Sequence, residues 1–183
     1  MISLRAKAAV LRAQGNWDEA EAVQRKALEK QPHESNRHTE MGLIQMALGK
    51  HPDALESFAK ARQFAGGSDP SYWIDANRAL ALIANDKCTE AMNTAQQAKR
   101  AYPPEGGFGE ESAWLALIAA QSLCGQMAKA RDDLRDFLAQ PPSLRNLTEV
   151  GKVAALAANP KLIDGLRSAA NKGGDGDVTT GAR

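Results

Sequence analysis

An all-α solenoid of four stacked helical hairpins, closed by a helical cap at its C-terminal end, is the fold class this sequence predicts. Three observations carry the prediction. A short pattern recurs as Gly15-Asn16-Trp17-Asp18-Glu19-Ala20, Gly49-Lys50-His51-Pro52-Asp53-Ala54, Asp86-Lys87-Cys88-Thr89-Glu90-Ala91 and Gly125-Gln126-Met127-Ala128-Lys129-Ala130. The alanines ending the four copies stand 34, 37 and 39 residues apart, the period of a helix–turn–helix unit. Composition agrees, because 183 residues that are 43% apolar but only 5% aromatic suit close-packed helices in one domain.

The residue types of the unit have physical reasons. Gly15 can take positive φ and so close a helix, and Asn16 is placed to cap the next one. Ala20 and Ala27 lie two turns apart on one face, where small side chains let two helices approach. Pro32 forces its predecessor out of helical conformation and ends the hairpin. One hairpin cannot bury its apolar stripe alone, so neighbours must stack.

Taken in order, the first hairpin covers residues 1–34, with Leu4, Ala8 and Leu11 on one helix face and Ala20, Val23, Ala27 and Leu28 on the other. The second spans residues 35–68, with Pro52 tolerated at a helix start. A loop of Gly66-Gly67-Ser68-Asp69-Pro70-Ser71 follows, in which Asp69 caps and Pro70 opens a helix. In the third hairpin, residues 70–103, Asn85-Asp86 replaces the turn glycine, and asparagine is the next most tolerant residue there. Tyr102-Pro103-Pro104-Glu105-Gly106-Gly107-Phe108-Gly109 reads as a connector, with a mobile ligand-closing loop as the sharper reading. The fourth hairpin covers residues 109–142. Capping helices are expected within residues 143–171, over 144–158 and Lys161–Arg167, covering the exposed face of the fourth hairpin. Residues 172–183 have too little apolar content to fold and are expected to be disordered.

The repeated units resemble the tetratricopeptide repeat (TPR) family, with Met41-Gly42 at its apolar-plus-small pair and Trp114-x-x-Leu117-Ile118 at its Trp and Leu positions. Lys7 departs from the pattern, which places a large apolar residue there. The resemblance implies a right-handed α-solenoid that binds proteins or peptides. Ala113 to Ala120, Gly125 to Arg131 and Pro160 to Arg167 are further similar to the C-terminal TPR region of bacterial adenylate/guanylate cyclase-like proteins and winged-helix regulators. That similarity spans roughly residues 35–170 and implies a module attached to a catalytic or DNA-binding domain. The chain begins inside a repeat, so an upstream domain or a homo-oligomer contact is expected to cover the N-terminal repeat.

Charge and motifs narrow the function. A net charge of +1 with 25% charged residues gives no strong field toward nucleic acid or membrane. No run approaches 18 apolar residues, so no transmembrane helix is expected. Cys88 and Cys124 fall in different repeats without metal spacing, which reads as a reducing, cytoplasmic setting. The phosphate-binding and dinucleotide glycine motifs are absent, and Gly106-Gly107-Phe108-Gly109 lacks their lysine and strand–helix context. His33, His38 and His51 do not form the i, i+4 pair of a helical zinc site, and His38 and His51 read as surface or turn residues. Asp175-Gly176-Asp177 lacks the other ligands of a calcium loop. No catalytic, cofactor or metal residue is therefore assigned, and the chain reads as a non-enzyme.

Binding remains. In the TPR family the second, fifth, ninth and twelfth positions of each first helix line a concave groove. Here that resemblance implies Arg5, Arg12, Asn36, Thr39, Leu43, Met46 and Trp73, with Glu40 and Asn77 one position along. Leu80, Ile83 and Leu115 fall on the same strip but read as core. Arg5 and Arg12 share a face and can receive an acidic peptide, although solvated charge is the ordinary reading. The clamp that the family uses for chaperone tails is incomplete, with Ala9 and Glu40 where asparagines should stand. The expected function is a protein-interaction scaffold. The alternative is a regulatory or sensor domain of a larger cyclase-like or winged-helix protein. An RNA-binding repeat is disfavoured by the near-neutral charge.

Overall fold

The computed structural model describes residues 3–66, 71–102, 110–139, 156 and 158–171. Among them are helices and no strand: α1 (Leu4–Ala13), α2 (Trp17–Lys30), α3 (Ser35–Ala47), α4 (His51–Phe64), α5 (Tyr72–Ala84), α6 (Cys88–Ala101), α7 (Glu110–Leu123), α8 (Met127–Ala139) and α9 (Pro160–Ala170). The first eight pair as four hairpins, α1–α2, α3–α4, α5–α6 and α7–α8. Each second helix packs on the first helix of the next hairpin, so the chain is an α-solenoid. The residues expected to cap at Asp69 and Pro70, the loop over 103–109, most of the helix expected over 144–158 and the tail over 172–183 lie outside the described residues.

Every turn inside a hairpin is the same device. Gly15, Gly49, Asp86 and Gly125 have φ of 76°, 71°, 61° and 79°. The next residue's N–H donates five residues back in each case: Asn16 to Leu11 (2.9 Å), Lys50 to Gln45 (2.8 Å), Lys87 to Leu82 (2.9 Å) and Gln126 to Gln121 (2.8 Å). These are Schellman closures, which satisfy the last free carbonyls of the first helix. Two expectations change here. Asn16 makes no side-chain cap. In the third turn the left-handed residue is Asp86, not Asn85, whose φ is −96°. Asn85 instead uses its amide to bond the carbonyls of Ala81 (2.8 Å) and His51 (3.0 Å).

The small residues sit where helices touch. Ala20, Ala54, Ala91 and Ala130 are fully buried. A Cβ at Gly42 would lie 2.7 Å from the Phe58 ring, so glycine there lets a fully buried phenylalanine lie flat on α3. Burying such a ring is worth about 2–3 kcal/mol. The largest core cluster runs from Met46 and Phe58 through α5 to α7 and on to Leu166. Tyr72 and Tyr102 pack with ring centroids 4.2 Å apart and planes tilted by 47°, beside a smaller cluster of alanines. His38 is buried rather than on the surface; its Nε2 donates to the Pro32 carbonyl at 2.8 Å.

Cys88 and Cys124 form a disulfide, with Cα atoms 5.9 Å apart. The reading of two separate thiols is overturned: stacked hairpins bring their turns together, and residues 36 apart in sequence become neighbours. A disulfide belongs to oxidising surroundings, so the cysteines lend a cytoplasmic location no support. No helix among the described residues is long and apolar enough to cross a membrane.

Candidate partner-binding face

The first helices α1, α3, α5 and α7 carry the candidate face. On α3 the accessible strip is Asn36, Glu40, Leu43 and Ala47, whereas Thr39 and Met46 are buried at 0% and 1% exposure. These two are a correction to the expected groove. Lying seven residues apart, they share one side of the helix, and Met46 belongs to the main core. Thr39 donates its hydroxyl to the Ser35 carbonyl at 3.1 Å. Glu40 and Asn77, one position along, lie on the more open side of their helices. Asn77 bonds the Trp73 carbonyl of its own helix at 2.8 Å, and both residues are half-buried. Leu80, Ile83 and Leu115 are core, as the sequence suggests.

Between the first two hairpins lies a cleft of about 350 Å³ lined by Ser3, Leu4, Arg5, Ala27, Lys30, Gln31 and Arg37. Ser3 is held at its mouth because its hydroxyl caps α1 by accepting from the Ala6 N–H at 3.2 Å. Three cations line this cleft, and two of them share a nearby carboxylate, Glu40, which is 3.9 Å from Arg5 and 3.5 Å from Arg37. The Arg5 side chain is 71% exposed, while Arg37 is held by Gln31 Oε1 at 3.3 Å. Arg12, further along α1, is half-buried, and its Nε has no hydrogen-bond partner among the described residues. Lys30 and Arg37 were not assigned from sequence. Lys30 sits on a second helix, outside the first-helix strip, and only the Arg37/Glu40 spacing of three hinted at the pairing.

The other half of the face is covered. From Ala113 to Ser122 every residue of α7 is buried, because it is packed by α5, α6 and α8 and α9 lies across it as well, reaching α5 and α8. This helix is longer than the expected Lys161–Arg167. It covers the fourth hairpin through α7 and also extends back to the third.

Asp75 on α5 sits 3.4 Å from Arg62 of the preceding hairpin. Burial pushes its carboxyl above the ordinary 3.8, against the pull of Arg62 and Arg78.

Four stacked hairpins with Schellman turns and alanine contacts define a helical-repeat α-solenoid. Among solved structures the chain is similar to YrrB, described as a TPR protein with an unusual peptide-binding site, at TM-score 0.58 and 17% identity, covering 88% of this chain and 80% of that one. It also matches the Naa15/Naa10 complex bound to HypK-THB at TM-score 0.44 and 18% identity, covering 88% of this chain and 29% of that one. No protein-family model and no curated protein matches the sequence.

Proposed function

We propose that this chain is a non-enzymatic interaction scaffold that receives an acidic peptide segment of a protein partner in the cleft between its first two hairpins. The observation that carries this reading is the cleft's charge: Arg5, Lys30 and Arg37 line it with no carboxylate among the described lining residues, and Glu40 nearby pairs with Arg5 and Arg37. A carboxylate-bearing peptide gains charge-assisted hydrogen bonds there. YrrB, with the same fold, is described as having a peptide-binding site, which supports binding as the task of the solenoid. Asn36, Glu40 and Leu43 extend the surface along α3, and Trp73 and Asn77 continue it on α5. Arg12 adds a further positive charge toward the far end of α1.

The test is fluorescence anisotropy with a labelled glutamate-rich peptide and its lysine counterpart. The acidic peptide binds and is displaced by salt, because the contacts are screened charges. Arg5→Ala with Lys30→Ala weakens it by about tenfold, near 1.4 kcal/mol, without lowering the melting temperature. Equal binding of the lysine peptide, or unchanged affinity in the double variant, counts against the proposal.

A second reading is favoured by α9: the solenoid senses a segment of its own polypeptide, as in the regulatory part of a larger cyclase-like or winged-helix protein. Sequencing the encoding gene upstream for a catalytic or DNA-binding domain decides it.

A further inference from the structure

The described surface divides into an open basic half and a half that is already filled. Along α7 the strip of Leu115 and Ala119 is fully buried. α9 packs against this helix; it is amphipathic, and its Leu162, Leu166 and Ala169 face inward at helical spacing. At the crossing, Gly165 meets Ala119: a Cβ on residue 165 would lie 2.9 Å from the Ala119 carbonyl oxygen and 3.0 Å from its Cα. The two backbones approach this closely because neither residue carries a side chain beyond one carbon.

The start of α9 is held by polar groups as well as by packing. Asn159 is fully buried; its amide donates to the Leu80 carbonyl at 2.8 Å while its oxygen caps α9 by accepting from the Leu162 N–H at 3.1 Å. His51 Nε2 donates to the Ala158 carbonyl at 3.0 Å. Lys161 reaches the Ala84 carbonyl at 3.4 Å and pairs with Asp86. At the other end Arg131 donates to the Asn171 carbonyl at 3.1 Å. The receptor therefore offers carbonyls from the end of α5, one acidic turn residue, one imidazole and a shallow crossing point on α7. That is a site for a helix with a capped, basic first turn and a glycine at its fifth or sixth residue.

We propose that the α5–α7 face is a helix-docking site and that α9 is its ligand in cis, which closes the site to a partner helix carrying the pattern Asn-Pro-Lys-Leu-x-x-Gly-Leu-x-x-Ala. The proposal rests on the fold and is independent of the basic cleft. A filled site lowers the apparent affinity for a partner by the fraction of chains in which α9 is undocked.

The experiment uses the full chain and a labelled synthetic peptide of residues 156–171. Gly165→Leu in the chain evicts α9 without touching the receptor surface. The unaltered chain binds the peptide at least about a hundredfold more weakly than this variant does. Hydrogen exchange in the variant rises over α9 and over α7, and added peptide restores protection on α7. Asn159→Ala, which removes one anchor and adds no bulk, gives an intermediate gain in binding. A peptide that itself carries the Gly165→Leu change does not bind either variant. The proposal is overturned if the peptide binds neither variant, if it binds the unaltered chain as well as the variants, or if eviction melts α5 through α7. The last result makes α9 a permanent part of the core.

Discussion

Gly49 and Gly42 lie seven residues apart and are glycine for opposite reasons. Gly49 has φ of 71° and open space where a Cβ would stand, so Gly49→Ala has only a backbone cost, about 1–2 kcal/mol for the left-handed conformation. Gly42 is in an ordinary helix, but its Cβ would enter the Phe58 ring, so Gly42→Ala costs about 1–3 kcal/mol through overpacking. Adding Phe58→Leu distinguishes them in chemical denaturation: it relieves part of the Gly42→Ala loss and adds its own loss to Gly49→Ala. The turn glycines were legible in the sequence because their offset from each alanine repeats. Asp86 was harder to read, because Asn85 beside it is as tolerant of positive φ and only the register of the Schellman bond separates them.

Between elements, each junction of successive hairpins has its own polar or covalent staple near the turns. Lys50 pairs with the buried Glu21 at 2.7 Å across the first. Asn85 bonds the His51 carbonyl across the second. The Cys88–Cys124 disulfide ties the third. Closing a loop of that length in the unfolded chain is worth about 4 kcal/mol on chain-entropy grounds. Urea titrations with and without reductant, or of Cys88→Ser with Cys124→Ser, should show a loss near that size. A pH effect belongs here too. The Asp75 carboxyl has a folded pKa above its unfolded 3.8, so the folded state binds its proton more tightly. Stability from this group is therefore greatest at low pH and declines as pH rises from about 3.8 through the folded value. The stability of Asp75→Asn relative to the parent should grow across that window in thermal melts between pH 4 and 7. A gap that narrows instead would mean that Arg62 outweighs burial.

Across the whole molecule, the face formed by the first helices has two characters. Its start is open and basic around Arg5 and Arg37, with Lys30 of α2 beside them, and its end is occupied by α9. An acidic peptide and the peptide of residues 156–171 should therefore bind independently. Saturating the Gly165→Leu chain with the second should leave anisotropy titrations of the first unchanged, and strong competition would place both on one surface.

Periodicity determined the hairpins, their four turns and the alanine contacts, because a 3.6-residue repeat and a fixed glycine offset are local properties that survive without any partner in view. It also marked Leu80, Ile83 and Leu115 as core, since helices apolar on most sides must be enclosed. Tertiary structure alone decided which side of α3 faces outward, where Thr39 and Met46 turn inward and Glu40 stays on the more open side. The rotation of a helix about its axis is set by its neighbours, not by its own spacing. Tertiary structure likewise joined Cys88 to Cys124 and carried α9 beyond the fourth hairpin to α5, contacts between distant parts of the chain that depend on how the hairpins stack.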